Sequence, residues 1–167
     1  MNSYKLLLLK NFKDKEMGNY ELIKLEKFET RDVKDKHVNG YLALIWRNSD
    51  KIIKHDPKMV YVTSVNSNEI KGPHLHTKRN SYFTCIHGKV TFIIKNTEQD
   101  FVEIELAADK PQLLFIPKGT PSAHINNGNE IGRILTLADI AWKPNDNEMK
   151  NISFSDYDWK KWNVNNN

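Results

Sequence analysis

SYFTCIHGKVTFIIK, residues 81–95, is the stretch that indicates most directly how the chain folds. On each side of His87-Gly88 it carries a run rich in β-branched and aromatic residues, which favour extended strands. A glycine between two such runs is typical of a hairpin turn. The stretch therefore predicts two strands joined by a hairpin at Gly88.

Other short runs of the same kind occur on both sides of this stretch. Turn residues separate them at intervals of roughly 8–12 residues, a spacing typical of an antiparallel sandwich or barrel. The runs cover residues 20–28, 40–46, 59–65, 100–106, 112–117 and 133–142. The one helix that we predict is a short one within residues 153–162, with Ser153 or Ser155 as its N-cap. The pattern as a whole predicts an all-β protein.

The length of the chain bounds its domain organisation. Its 167 residues are enough for one domain with a proper core and too few for two. We expect residues 1–19 to form an N-terminal arm, residues 20–162 the folded domain and residues 163–167 a frayed tail.

Composition and charge argue against several classes of protein. The longest apolar run near the start is four leucines at residues 6–9, shorter than a signal peptide or a membrane span requires, so we expect no membrane association. The single cysteine, Cys85, allows no internal disulfide and favours the cytoplasm. The net charge of +4 comes without a basic block, which argues against nucleic-acid binding but suits a small anionic ligand such as a nucleotide diphosphate.

The segment KGPHLHTK, residues 71–78, contains two of the six histidines of the chain, His74 and His76. Residues two apart on a strand project from the same side, so both imidazoles face one way. If that side is the inside of a small barrel, they converge on one cavity; if it is the outer face of an edge strand, they are ordinary surface residues. Gly72-Pro73 predicts the start of the strand, where proline is tolerated.

Two segments around these histidines carry a wider pattern. HLHTKRNSYFTCIHG, residues 74–88, ends on a glycine, and IPKGTPSAHIN, residues 116–126, places a Pro-x-Gly turn between two strands. They resemble the two signature motifs of the cupin superfamily, and the resemblance covers residues 60–142. It implies a single cupin (jelly-roll) barrel, to which the short C-terminal helix is added.

Metal-binding cupins complete their site with a glutamate and a third histidine. This chain has Asn80 or Ser81 at the place of the glutamate and Ser122 at the place of the histidine, with His124 two positions later. We therefore predict no metal. The alternatives are a metal-dependent cupin such as a small dioxygenase that uses His74, His76 and His124, and a non-catalytic sugar-binding cupin.

A narrower resemblance rests on KGPH, residues 71–74, and on HLHTK, residues 74–78. They are similar to motifs of the metal-free cupins that act on dTDP-4-keto-6-deoxysugars, namely the 3,5-epimerases and the 3,4-ketoisomerases. The resemblance implies an isomerase without a cofactor, a nucleotide-sugar substrate and a homodimer.

The chemistry of such a substrate requires a base with a pKa near the working pH. A ketone at C4 acidifies the hydrogens at C3 and C5, and histidine is suited to remove either of them. We predict His74 as the catalytic base and His76 as the proton relay.

The reaction is predicted from what the sequence lacks. The acid of the epimerases is a tyrosine on the strand after the Pro-x-Gly turn, and Thr136 stands at its place. The aspartate that pairs with the epimerase histidine also has no counterpart at the matching place, the substitutes being Asp139, Asp156 and Asp158. Both absences favour 3,4-ketoisomerisation, with 3,5- or 3-epimerisation of the same class of substrate as the alternative.

The remaining site residues are predicted as substrate contacts. Lys71, Lys78 and Arg79 are candidates for the diphosphate. Tyr82 and Trp142 are candidates to stack on the thymine or to line the sugar pocket, with core or rim packing as the alternative. His124 is a further candidate if its side chain reaches the cavity.

Overall fold

A computed structural model describes residues 20–49, 51–97 and 100–162, and in them almost every element is a strand. The strands are β1 (Glu21–Lys24), β2 (Glu26–Arg31), β3 (Val38–Leu44), β4 (Met59–Val65), β5 (Glu69–His76), β6 (Ser81–His87), β7 (Lys89–Lys95), β8 (Phe101–Ala107), β9 (Gln112–Ile116), β10 (Ser122–Asn126), β11 (Gly132–Ala138) and β12 (Met149–Asn151). One turn of 3₁₀ helix follows at Trp159–Trp162. The predicted arm and tail, residues 1–19 and 163–167, lie outside the described residues.

Two five-stranded antiparallel sheets pack face to face as a jelly-roll sandwich. The first sheet has the order β1-β9-β6-β11-β4 and the second the order β12-β5-β10-β7-β8, while β2 and β3 form a separate hairpin. Side chains from both inner faces fill the space between the sheets, among them Phe83 of β6, Phe92 of β7 and Ile134 of β11. The predicted all-β jelly-roll fold is confirmed.

The expected hairpin at Gly88 is wrong, because β6 and β7 belong to different sheets. The chain turns at Gly88, which has a φ of 64°, and crosses from the first sheet to the second. A Cβ at this position would lie 2.9 Å from the carbonyl oxygen of Ile131, so the crossing requires glycine. Both strands are buried on both faces, which explains why their residues do not alternate between apolar and polar.

The C-terminal segment covers the outer face of the second sheet. Phe154 and Tyr157 pack there on Ile93 and Ile125, and the ring of Phe154 lies 5.0 Å from that of Phe101. The predicted short helix is confirmed, but it is only one turn long and begins at Trp159. Neither predicted serine caps it; the carboxylate of Asp158 accepts a hydrogen bond from the Lys160 amide instead.

Gly72-Pro73 lies inside β5 and not at its start, which corrects the prediction. Ser122 is paired with His74, and His124 is paired with Lys71. The two β5 residues are three positions apart and the two β10 residues only two, so β5 contains one extra residue, which forms a β-bulge. Gly72 has a φ of 91°, and a Cβ there would lie 3.0 Å from the His74 amide nitrogen and 3.1 Å from the Ser122 carbonyl oxygen. Lys71 and His74 thereby face the same side although they are three residues apart.

In the part of the chain that the structure describes, no helix has the length and apolarity needed to cross a membrane.

Candidate active site

A cavity of about 370 Å³ opens between the two sheets. Strand β4 forms one wall and strands β5 and β10 form the opposite one. It is lined by Met59, Tyr61, Thr63, Lys71, His74, His76, Arg79, Phe83, Ser122, His124, Trp142 and Met149. Aromatic and apolar side chains combined with convergent polar and charged groups are typical of a pocket for a small polar molecule.

His74 is held by the C-terminal strand. Strand β12 pairs with β5 so that Asn151 lies opposite His74 and Met149 opposite His76. The Nδ1 atom of His74 lies 3.0 Å from the Oδ1 atom of Asn151. Because an amide oxygen accepts, Nδ1 is the protonated nitrogen of His74 and Nε2 keeps the basic lone pair.

His76 is bound on both of its ring nitrogens. Its Nδ1 atom lies 2.8 Å and 3.0 Å from the two carboxylate oxygens of Glu148, and a guanidinium nitrogen of Arg79 donates to its Nε2 atom at 2.7 Å. The ring is therefore neutral, with its proton on Nδ1. Burial lowers the pKa of His76 from its ordinary value and the Arg79 charge lowers it further, whereas Glu148 acts in the opposite direction.

His124 lies deepest among the cavity histidines. Its ring packs edge-on against Phe92 at 4.4 Å and against Phe83 at 5.7 Å, and its Nδ1 atom is buried without a hydrogen-bond partner. Burial lowers the pKa of His124 to about 3, with a smaller contribution from His74, so the ring is uncharged near neutral pH. An uncharged imidazole here offers polar contact to a ligand without bringing charge into the barrel.

Tyr61 faces the histidines from the other sheet. It projects from β4 into the cavity, and the guanidinium carbon of Arg79 lies 5.7 Å from the centre of its ring. Its strand neighbour on β11 is Thr136, the residue at the place of the epimerase tyrosine. Thr136 itself is buried, and its hydroxyl has no hydrogen-bond partner. Tyr61 thus brings a phenol into the cavity from the strand next to position 136.

Comparison with protein families matches residues 18–158 to the family described as FdtA: WxcM-like, C-terminal. The match covers most of the chain. The protein belongs to the FdtA family. Comparison with curated proteins gives no match.

Solved structures share the fold of this FdtA-family protein. A mutant of the 3,4-ketoisomerase QdtA from Thermoanaerobacterium thermosaccharolyticum, in complex with TDP-4-keto-6-deoxyglucose, is 22% identical, with 79% of this chain and 86% of that chain covered and a TM-score of 0.64. A 3,4-ketoisomerase from Helicobacter canadensis is 18% identical, with 87% and 95% covered and a TM-score of 0.64. NovW, a 4-keto-6-deoxy sugar epimerase of Streptomyces spheroides, is 11% identical, with 84% and 72% covered and a TM-score of 0.65.

The cavity of the FdtA-family protein contains most of the residues predicted from the sequence. Lys71, His74, His76, Arg79, His124 and Trp142 all line it. Lys78 does not line the cavity; its ammonium group donates a hydrogen bond to the carbonyl oxygen of Asp146 instead. Tyr82 lies on the outer face of the first sheet, where its ring packs 4.6 Å from Phe115 and its hydroxyl accepts a hydrogen bond from the Lys54 amide. Strand alternation explains this, since the neighbouring Phe83 takes the inward position.

Asn80, at the place of the cupin glutamate, is part of the framework. Its backbone and side-chain nitrogens donate to the two carboxylate oxygens of Asp139, and its side-chain oxygen accepts from the Lys118 amide. Among the described residues, three possible metal-ligand atoms come within 4.8 Å of one another at Asp32, Asp35 and His37, in the exposed turn between β2 and β3. The cavity histidines are not grouped in this way.

Among the site residues that were not predicted from the sequence are Tyr61, Glu148 and Asn151. Tyr61 could have been found by pairing its alternating run with the strand that contains Thr136. Glu148 and Asn151 gave no local signal, because they reach the histidines only through the pairing of β12 with β5. The loop before β12 places them by a backbone path that includes Asn145 and Asn147, both with positive φ.

Proposed function

We propose that this FdtA-family protein is an isomerase that moves the carbonyl group of a nucleotide-linked 4-keto-6-deoxysugar, with dTDP as the nucleotide, from C4 to C3. The observation that carries the proposal is the pair His74 and His76, side by side on one wall of the cavity and each held in one tautomer by a C-terminal partner. C3 and C4 are adjacent carbons, so two neighbouring bases on one face suit a proton transfer between them.

His74 starts the reaction in this proposal. Its Nε2 atom removes the proton from C3, and the electron pair passes into the C4 carbonyl to give an enolate. Tyr61 lines the same cavity and is placed to donate a hydrogen bond to the charge that develops on oxygen. The rate gain expected from a positioned general base is about 10²–10⁴-fold.

In the second half of the reaction, the protonated His74 delivers to C4 the proton that it took from C3. The hydroxyl proton of O3 moves to O4 through His76, which leaves a ketone at C3 and a hydroxyl at C4. No atom is gained or lost and the oxidation state of the sugar as a whole is unchanged, so the reaction needs no redox cofactor. We infer that it also proceeds without a metal, because His74 supplies the base and Tyr61 the donor to the oxyanion.

The mouth of the cavity supports binding of a nucleotide diphosphate. Lys71 and Arg79 bring two positive charges to the cavity wall. Trp142 lines the rim with 66% of its surface exposed, so its ring is free to stack on a base. A neutral His124 deeper in the cavity offers a polar contact to the sugar.

Product analysis tests this function. The metal-free protein, prepared with a chelator, is incubated with TDP-4-keto-6-deoxyglucose, and carbon NMR locates the ketone. We expect a C3 ketone to accumulate with the wild-type protein. An unchanged C4 ketone with correctly folded wild-type protein would contradict the proposal, and activity that returns only with added metal would contradict its metal-free form.

Epimerisation at C3, or at C3 and C5, is a second candidate that one observation favours. Tyr61 and His74 project into the cavity from opposite sheets, as an acid and a base on opposite sugar faces require. A product that keeps the C4 ketone but has inverted C3 would support this candidate.

We also infer a homodimer in the cytoplasm, as the family resemblance implies. Val60 and Val62 support pairing through the first sheet, since they are 54% and 52% exposed on its edge strand β4. Light scattering should give twice the mass of one chain, and Val62→Lys should lower it. The mass of a single chain for the wild-type protein would contradict the dimer.

A further inference from the structure

His76 has no free ring nitrogen in the structure, although the proposed reaction needs one. Glu148, which is only 5% exposed, holds Nδ1, and Arg79 occupies Nε2 at 2.7 Å. A neutral imidazole has one donor and one acceptor nitrogen, and here both are used. Nε2 can take a proton only after the guanidinium has left it.

We propose that Glu148 and Arg79 are positioning residues that act through His76: Glu148 keeps the proton on Nδ1, and Arg79 occupies Nε2 until an anionic ligand draws its guanidinium away. The proposal rests on the proposed function, because the anion in question is the diphosphate of the substrate. Its consequence is that His76 becomes a proton acceptor only when the cavity is occupied.

The contacts of Arg79 are suited to such a movement. Its bond to His76 is short, its Nε atom is buried without a hydrogen-bond partner, and its ion pair with the Glu148 carboxylate has a longer N–O distance of 3.5 Å. Its guanidinium also lies over the face of Tyr61. A diphosphate offers the guanidinium two charged oxygens in place of one neutral nitrogen, and such paired, charge-assisted bonds are the stronger ones.

Glu148 is suited to stay in place. Its backbone amide donates to the Asp146 side chain, and its carbonyl oxygen accepts from both the amide and the hydroxyl of Thr77. The carboxylate is thus fixed to the backbone beside β5 whatever occupies the cavity. Once Arg79 leaves, the buried carboxylate on Nδ1 remains and favours a proton on Nε2.

The charged and titratable groups around His76 come from several elements. Arg79 precedes β6, Glu148 precedes β12, His74 is on the same strand, and Tyr61 on β4 and His124 on β10 line the same cavity. Burial lowers the pKa of His76 most, Arg79 and, less strongly, His74 lower it further, and Glu148 acts to raise it. The balance between Arg79 and Glu148 is therefore what a ligand can change.

Nitrogen NMR of histidine-labelled, full-length protein tests the proposal at one fixed pH near neutral, with thymidine diphosphate as the probe. In the free wild-type protein we expect His76 to be protonated on Nδ1, and added thymidine diphosphate to shift its Nε2 resonance. In Arg79→Gln we expect the shift without ligand and no further change on addition. Lys78→Gln is the matched control, since it removes a neighbouring charge whose ammonium group contacts Asp146 and not His76.

Glu148→Gln tests the other half, because a side-chain amide can donate or accept with almost the same shape. With thymidine diphosphate bound, we expect a mixture of the two His76 tautomers. We also expect a lower kcat and a displaced pH profile with KM little changed, and partial recovery in Glu148→Asp. A free wild-type protein with the proton on Nε2, or Arg79→Gln spectra identical to wild type, would overturn the proposal.

The measurements with thymidine diphosphate distinguish a failure of this inference from a failure of the proposed function. Equilibrium dialysis reports binding of thymidine diphosphate independently of His76. Binding without any change at Nε2 overturns the role of Arg79 and leaves the isomerase proposal intact. A protein that shows both tautomer effects but forms no C3 ketone from the keto sugar contradicts the proposed function alone.

Discussion

At the scale of single residues, the two histidines of one strand face have different partners. Asn151 on Nδ1 leaves the Nε2 atom of His74 basic, whereas His76 is held between a carboxylate and a guanidinium. We expect His74→Asn to lower kcat by about 10²–10⁴-fold, because it removes the base while keeping a polar side chain. Steady-state kinetics by NMR measures this, with the exposed His55→Asn as control. Full turnover by His74→Asn would remove His74 from the mechanism.

Tyr61 is the second residue with a separable role. If its hydroxyl donates to the developing oxyanion, Tyr61→Phe should lower kcat by roughly 10²-fold with a small change in KM. Tyr82→Phe is the matched control, since that hydroxyl accepts from the Lys54 amide outside the cavity. Equal kinetics for both variants would show that the Tyr61 hydroxyl takes no part.

The sequence was sufficient to find those site residues that lie near one another in the chain. His74 and His76 share a strand face, and Arg79 follows three residues later, so a local motif brings them together. Glu148 could not be found in this way, because it reaches His76 through a strand pairing 72 residues away. Lys78 and Tyr82 were placed in the site on charge and aromatic character alone, which do not report the direction of a side chain.

At the scale of elements, the bulge in β5 sets the direction of the cavity wall. Gly72→Ala forces a side chain into a left-handed φ of 91° and against the backbone of His74 and Ser122. We expect the free energy of unfolding to fall by about 2–3 kcal/mol and kcat to fall with it. Gly119→Ala is the control for φ alone, because Gly119 has a φ of 83° but nothing within 4 Å of an added Cβ.

Urea denaturation of the two glycine variants, with turnover measured below the transition, separates strain from contact. Gly119→Ala should lose about 1–2 kcal/mol and keep its turnover. Equal losses of stability and turnover in both variants would show that the contacts at Gly72 do not position His74.

The strands themselves were predicted well where short runs are bounded by turns, as at Met59–Val65. The pairing of each strand with its neighbours in the sheet was not predicted. The Gly88 turn joins β6 in one sheet to β7 in the other. This could not be predicted, because strands buried on both faces show no alternation that would indicate to which sheet each belongs. Strand β12 was missed because all three of its residues are exposed, so they show no alternation of apolar and polar side chains.

At the scale of the whole molecule, the partly buried His124 makes the free energy of unfolding depend on pH. Its pKa is about 3 in the folded protein, against an ordinary 6.5 in an unfolded chain. Between these values the unfolded chain binds a proton that the folded one does not, so the free energy of unfolding falls as the pH falls from 6.5 toward 3. The contribution is at most about 1.4 kcal/mol per pH unit.

Urea denaturation of the wild-type protein and of His124→Gln at several pH values measures this contribution. Glutamine does not titrate, so the slope of stability against pH should be smaller in the variant across this window, whatever its stability at neutral pH. Parallel slopes would mean that His124 takes up a proton in the folded protein as readily as in the unfolded one.

The position of deuterium in the product is the most direct test of the proposed reaction. TDP-4-keto-6-deoxyglucose is incubated with the wild-type protein in deuterated water, and proton NMR follows C3, C4 and C5. Transfer within the C3–C4 pair predicts a C3 ketone, loss of the C3 hydrogen signal and a C5 hydrogen that stays fully protonated. Deuterium at C5, with the ketone still at C4, would contradict ketoisomerisation and identify the protein as an epimerase.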